Sequence, residues 1–154
     1  MPIVNPTPER MEAFEGAAQD DGPIVMVNLL RFRERADYAE GGSGKEAYAR
    51  YSKAVVPLVW EVGGQVLWMG KVRDALIAPA GESWDEVVLV HYPGRRAFLR
   101  MVRSDSYQAI MHHRTAALLD SRLVETRAMR LPRWILGAAR RLLRAKALLL
   151  PKIR

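Results

Sequence analysis

Apolar residues along this chain change spacing from segment to segment, and the changes outline its elements. Thr7 precedes Pro8 and Glu9, with Met11, Phe14 and Ala18 on one face, which predicts a short capped helix ending at the Asp20-Asp21-Gly22-Pro23 turn. The run "PIVMVNLLRF" (23–32) is nearly continuous and β-branched, as in a strand covered on both faces, and its one interior polar residue is Asn28. Helical spacing follows at Tyr48, Tyr51, Val55, Leu58, Val59 and Val62, so a helix is expected from about 45 to 62, capped by Ser43 and bent at Pro57. Gly63-Gly64 end it. "QVLWMGKVRDALIA" (65–78) predicts a long strand bent or bulged at Gly70, and "WDEVVLVHYP" (84–93) another, stopped by Pro93-Gly94. Helices over 95–103 and about 105–119, then a last strand over 121–128, complete the pattern.

After the first helix the order is β-α-β-β-α-β, the ferredoxin-like α+β plan of an antiparallel sheet with helices on one face. Its strands are too apolar on both sides for the second face to meet water. Pairing of two sheets in a homodimer is the simplest cover.

Three pieces carry a family resemblance: "VMVNLLRF" with Asn28, "EAYARYSKAVVPLVWEVGGQVLW", and "VLVHYPGRRAFLRMVRSDSYQAIMHHRTAALLDSRLVET". Together they resemble the bacterial family catalogued as domain of unknown function 1330, within the dimeric α+β barrel superfamily, over roughly residues 22–126. The resemblance implies a ferredoxin-like barrel domain over 1–128 with a cleft between sheet and helices. Relatives in that superfamily include cofactor-independent monooxygenases, isomerases and haem-dependent enzymes. Residues 130–154 exceed the family pattern.

Composition adds limits. A length of 154 residues suits one such domain, and the absence of cysteine excludes disulfides, thiol nucleophiles and cysteine metal sites. The first residues lack a basic-then-apolar run, so a cytoplasmic protein is expected. The net charge of +7 is local: residues 127–154 hold nine Lys/Arg and no acid, while residues 1–126 hold fifteen basic against seventeen acidic side chains. On a helical projection the tail (129–154) gathers Arg133, Arg140, Arg141 and Arg144 on one arc and Trp134, Ile135, Leu142, Leu143 and Leu149 on the rest. A basic amphipathic helix of this kind either lies on an anionic membrane surface, at the inner membrane face, or packs on its own dimer. Nucleic acid ranks behind both as a partner, because no recognition motif accompanies the charge.

The candidate chemistry is sparse. "EGGSGKE" (40–46) is not a phosphate loop, since Ala39 and Glu46 stand where a glycine and a hydroxyl are required. No metal-ligand spacing or nucleotide motif occurs, and no cofactor is expected. His91, His112 or His113 could serve as a haem ligand, but spacing supports none of them. Arg114 falls inside the apolar stripe of its helix, where it must bond a carboxylate such as Asp120 or Glu125, bond backbone carbonyls, or clamp a ligand carboxylate. Asn28 can pair across the sheet or donate to a ligand oxyanion. Tyr48 and Tyr51 read as core aromatics with hydroxyls able to meet substrate, and Trp60, Trp68 and Trp84 as packing. The leading expectation is a small-molecule enzyme, a cofactor-independent oxygenase or isomerase acting on an apolar or aromatic carbonyl or carboxylate. Arg114 and Asn28 would hold the oxyanion while His113 or His91 moves a proton. The competing expectation is a non-catalytic ligand-binding or interaction module, docked at a membrane by the tail.

Overall fold

Thr7 caps the first helix by accepting from the Arg10 amide, and Pro8 takes a position where its missing N–H costs nothing. The computed structural model describes residues 3–19, 22–39 and 41–129. Helix α1 spans Pro8–Gly16 and runs into a 3-10 turn, Ala17–Gln19. Then come strand β1 (Ile24–Phe32), helix α2 (Gly44–Glu61), strands β2 (Gln65–Lys71) and β3 (Glu86–Tyr92), helices α3 (Arg95–Arg103) and α4 (Asp105–Ala117), and strand β4 (Leu118–Thr126).

The strands form one antiparallel sheet in the order β2-β3-β1-β4, so β3 lies between β2 and β1, and β1 between β3 and β4. That is the ferredoxin-like α+β arrangement. Alternation then decides which side chains the helices cover. Ile24, Met26 and Leu30 of β1 and Val88, Val90 and Tyr92 of β3 are buried, whereas Val25, Val27, Leu29, Val87, Leu89 and His91 are half-exposed on the opposite face. Ile24, Leu30 and Leu118 are fully buried, and each such side chain stabilises the fold by about 1.5–3 kcal/mol.

Three boundaries differ from the sequence pattern. Strand β2 ends at Lys71, and the apolar Leu76 and Ile77 stand exposed in the connection to β3 instead of extending the ladder. The bulge in β2 falls between Val66 and Trp68 rather than at Gly70. Gly70 has another use: a Cβ there would lie 2.4 Å from the Trp68 ring, so its hydrogen makes room for the indole. Helix α4 passes without a loop into β4 at Leu118, three residues earlier than the alternation suggests.

The glycine stretch is structural. Ser43 and Glu46 form a capping box, with the Ser43 amide donating to Glu46 Oε2 at 2.8 Å. A carboxylate thus fills the place where an anion would bind the start of α2. Gly44 packs against backbone, where a Cβ would lie 2.4 Å from the Arg33 carbonyl oxygen and 2.5 Å from that of Ala117. Among the described residues no helix is long and apolar enough to cross a membrane. The basic helix expected in the 129–154 tail lies, from residue 130 on, outside the described residues.

Candidate functional site

The helices do not fill the space over the covered face of the sheet. A cavity of about 760 Å³ lies between β1–β4 on one side and α2, α3 and α4 on the other, with Ile3–Pro6 and the inner face of α1 along its edge. That volume is within the range of about 300–1,000 Å³ common for small-molecule sites. Its wall is apolar and adaptable: five of the chain's seven methionines (Met11, Met26, Met69, Met101 and Met111) border it, between valines of α2 and the sheet. Thioether chains are flexible and polarizable, so such a wall can adjust to its occupant.

Of the four arginines that border the cavity among the described residues (Arg10, Arg103, Arg114 and Arg122), Arg114 is the buried one. It sits on α4 at the third position of the row Tyr107, Met111, Arg114, all of which border the cavity. The residue is only 8% exposed, yet every bond it makes is to a neutral acceptor: Val4 O at 2.7 Å, Asn5 Oδ1 at 3.4 Å and Ser121 Oγ at 3.1 Å. The carboxylates that could have neutralised it are engaged elsewhere. Asp120 accepts from the Ile3 and Ser121 amides and from Arg122, and Glu125 accepts from Arg95 Nε at 2.6 Å. Among the described residues no acidic side chain pairs with Arg114. A guanidinium removed from water and surrounded only by dipoles attracts an anion more strongly than one already paired.

The partners of Arg114 come from a strap. Ile3 donates its amide to Asp120 Oδ1 at 2.8 Å, and its carbonyl accepts from the Ser121 amide at 2.8 Å, which lays residues 3–6 along the start of β4. Burial alone would raise the Asp120 carboxyl, but the Ile3 amide, Arg122 and the Ser121 amide together hold it below the ordinary carboxylate value.

Asn28 faces the cavity, on the side of β1 shared with Met26 and Leu30. Its Nδ2 donates to Met26 O at 3.4 Å and Val88 O at 3.3 Å. The amide hydrogens are therefore spent on the sheet. What Asn28 can offer a ligand is its Oδ1, an acceptor, rather than the oxyanion donor expected of it.

Tyr48 and Tyr51 also border the cavity, in an aromatic row with Phe32 and Tyr107. Burial pushes the Tyr48 phenol up to about 12. Burial, and then the neighbouring Tyr107, put Tyr51 well above the ordinary phenol value, while the Arg114 charge opposes both shifts. Both hydroxyls are accordingly neutral donors near pH 7.

The histidines stand apart from this group. His91 projects from the other face of β3 with Val87 and Leu89, and the sheet separates it from Asn28 and Arg114. His113 turns toward the 33–43 loop, where its Nδ1 hydrogen-bonds the Tyr38 hydroxyl. His112 is exposed and lies against His113, with ring centroids 3.9 Å apart and the planes tilted by 44°. Neither expected proton carrier borders the cavity. Among the described residues no group of three or more His, Asp or Glu is placed to hold a metal ion. Of the tryptophans expected to pack, Trp60 is 64% and Trp68 54% exposed.

Of the candidates singled out in the sequence, Asn28, Arg114, Tyr48 and Tyr51 border the cavity; Ser121, Tyr107 and the strap border it too and were not among those candidates. Tyr107 was legible as the residue two turns before Arg114 on the same stripe. The strap acts mostly through backbone carbonyls, which every residue possesses and no residue type announces.

Comparison with known proteins follows the same lines. The family model described as "Domain of unknown function (DUF1330)" matches residues 43–126. A crystallised protein of unknown function from Rhodopseudomonas palustris is 38% identical with a TM-score of 0.79, and the match covers 85% of this chain and all of that one. Its methylated form gives 38% identity and a TM-score of 0.78 over 84% of this chain and 96% of that one. A protein from Arabidopsis thaliana shares the fold at 10% identity and a TM-score of 0.50, over 71% of this chain and 98% of that one. Among curated proteins no match is found.

Proposed function

This chain belongs to the domain of unknown function family DUF1330, and from that starting point we propose that it binds a small apolar molecule carrying one anionic group, with the anion at Arg114. The carrying observation is the buried guanidinium bonded only to neutral acceptors at the wall of an apolar cavity. A carboxylate fits its planar fork with two parallel bonds. The methionine and valine wall suits an aliphatic or aromatic body. Asn28 Oδ1 adds an acceptor for a ligand hydroxyl or amine, and Tyr48 adds a neutral donor.

The expected proton-transfer chemistry has less support than binding. An oxygenase or isomerase working through His113 or His91 needs a base within hydrogen-bond reach of the substrate, and both histidines point elsewhere. Glu125, a carboxylate at the wall, is held by Arg95, and the phenols keep their protons.

The bare face of the sheet supports a second proposal, self-association. Val27, Leu29, Val87 and Leu89 form an apolar surface extended by Trp68 on one side and by Val124, 49% exposed, on the other. A second copy of the chain, with the same face, is the occupant that matches it in shape and polarity.

Titration calorimetry tests the anion site. Decanoate should bind with one molecule per chain, its methyl ester roughly tenfold or more weakly, and Arg114→Gln should erase that difference. Equal binding of acid and ester to the unsubstituted protein would sink the proposal even if the variant failed to fold.

A further inference from the structure

Arg114 is one of three polar positions that α4 presents to the cavity, with Tyr107 and Gln108, and the Gln108 side chain donates to Val102 O at 2.6 Å. Tyr107 precedes Arg114 by seven residues, which places the two roughly 20° apart around the helix and about 10 Å apart along its axis. Met111 borders the cavity between them. The Tyr107 hydroxyl accepts from Tyr51 at 3.3 Å, the two rings meeting edge to face with centroids 6.4 Å apart. A phenol that accepts one hydrogen bond still has its own proton to donate. Among the described residues the Tyr107 proton has no acceptor.

Such a pair behaves as a directed donor. Tyr51 fixes the position of the Tyr107 oxygen and polarises it, and the remaining proton is available at the cavity wall. An occupant that leaves the proton unmet forgoes a hydrogen bond, whereas one with an oxygen there gains it.

We propose that the Tyr51–Tyr107 pair is a second polar subsite, selecting molecules that carry a hydroxyl, ketone or other oxygen acceptor about 10 Å from the anionic group. The proposal rests on the reading of Arg114 as the anion anchor and makes the preferred occupant a two-ended molecule: a carboxylate, an apolar middle over Met111, and an oxygen at the far end. The alcohol of an ω-hydroxy acid and the phenol of an extended aromatic acid both have that form.

The test is a comparison of decanoate with ω-hydroxydecanoate on the full chain and on Tyr107→Phe, which removes the hydroxyl and keeps the ring. The full chain should bind the hydroxy acid roughly three- to tenfold tighter than decanoate, and Tyr107→Phe should bind the two equally. If decanoate binds and the terminal hydroxyl brings no gain, or the gain survives Tyr107→Phe, the subsite is wrong and the anion anchor stands. If neither acid binds, the anion anchor falls and the subsite with it.

Discussion

Gly44 shows how closely a single residue type can be dictated by its surroundings. It opens α2 where that helix meets the backbone of Arg33 and the end of α4, and its own amide donates to Arg33 O at 3.1 Å. Backbone atoms cannot swing aside as a side chain can. Gly44→Ala should therefore destabilise the fold by about 3 kcal/mol, read as a loss in denaturant midpoint, whereas alanine at Gly16, where a Cβ would meet nothing within 4 Å, should be tolerated. A glycine cluster ahead of a lysine suggests phosphate only when read as letters. The same scale explains what was legible at the site. Asn28 and Arg114 stand out because each is polar within an apolar pattern, while Ser121 bonds Arg114 through a contact that spacing does not reveal. The sense of Asn28 was also hidden, because donor or acceptor depends on which carbonyls lie nearby.

At the scale of elements, periodicity identifies helices and strands well because burial on one face imposes it. It is weaker at their ends. Exposed Leu76 and Ile77 read as strand residues, and direct passage from α4 into β4 leaves no turn residue to mark the boundary. The strap and α1 form one further unit at the cavity edge. Arg95 holds its far end, donating to Glu125 and to Ala17 O at 2.5 Å while its guanidinium lies over the Phe14 ring. Asp120 holds the near end. Because the folded state depresses the Asp120 carboxyl, its contribution is full above the ordinary aspartate value of about 3.9 and is lost as pH falls through the folded value. Acidification through this window should loosen residues 3–6 before the sheet unfolds, read as a loss of protection of the Ile3 amide relative to its intrinsic exchange rate at each pH. In Asp120→Asn that protection should already be low at neutral pH and less dependent on acid. An unchanged pH response in the variant would remove Asp120 as the anchor.

For the whole molecule, one sheet has two apolar faces with different fates. The helices take one, and the other carries Val27, Leu29, Val87 and Leu89 with His91 at its side. Alternation alone cannot say which is which, because both faces read as hydrophobic. That is why His91 could be considered for a cleft that lies behind the sheet from it. Sedimentation velocity should find a dimer for the full chain and a monomer for Leu89→Asp, whose charge falls on the bare face and away from the cavity. A monomer in the unsubstituted protein would leave that face without its proposed cover.

The central claim concerns the cavity and the buried, unneutralised Arg114 at its wall, and a crystal structure of the full chain purified without added ligand tests it most directly. The account predicts density for a captured apolar molecule, or its open space, with an anionic group replacing Val4 O or Asn5 Oδ1 at Arg114. A cavity closed by its own methionines, with Arg114 paired to a carboxylate of the chain, would contradict it.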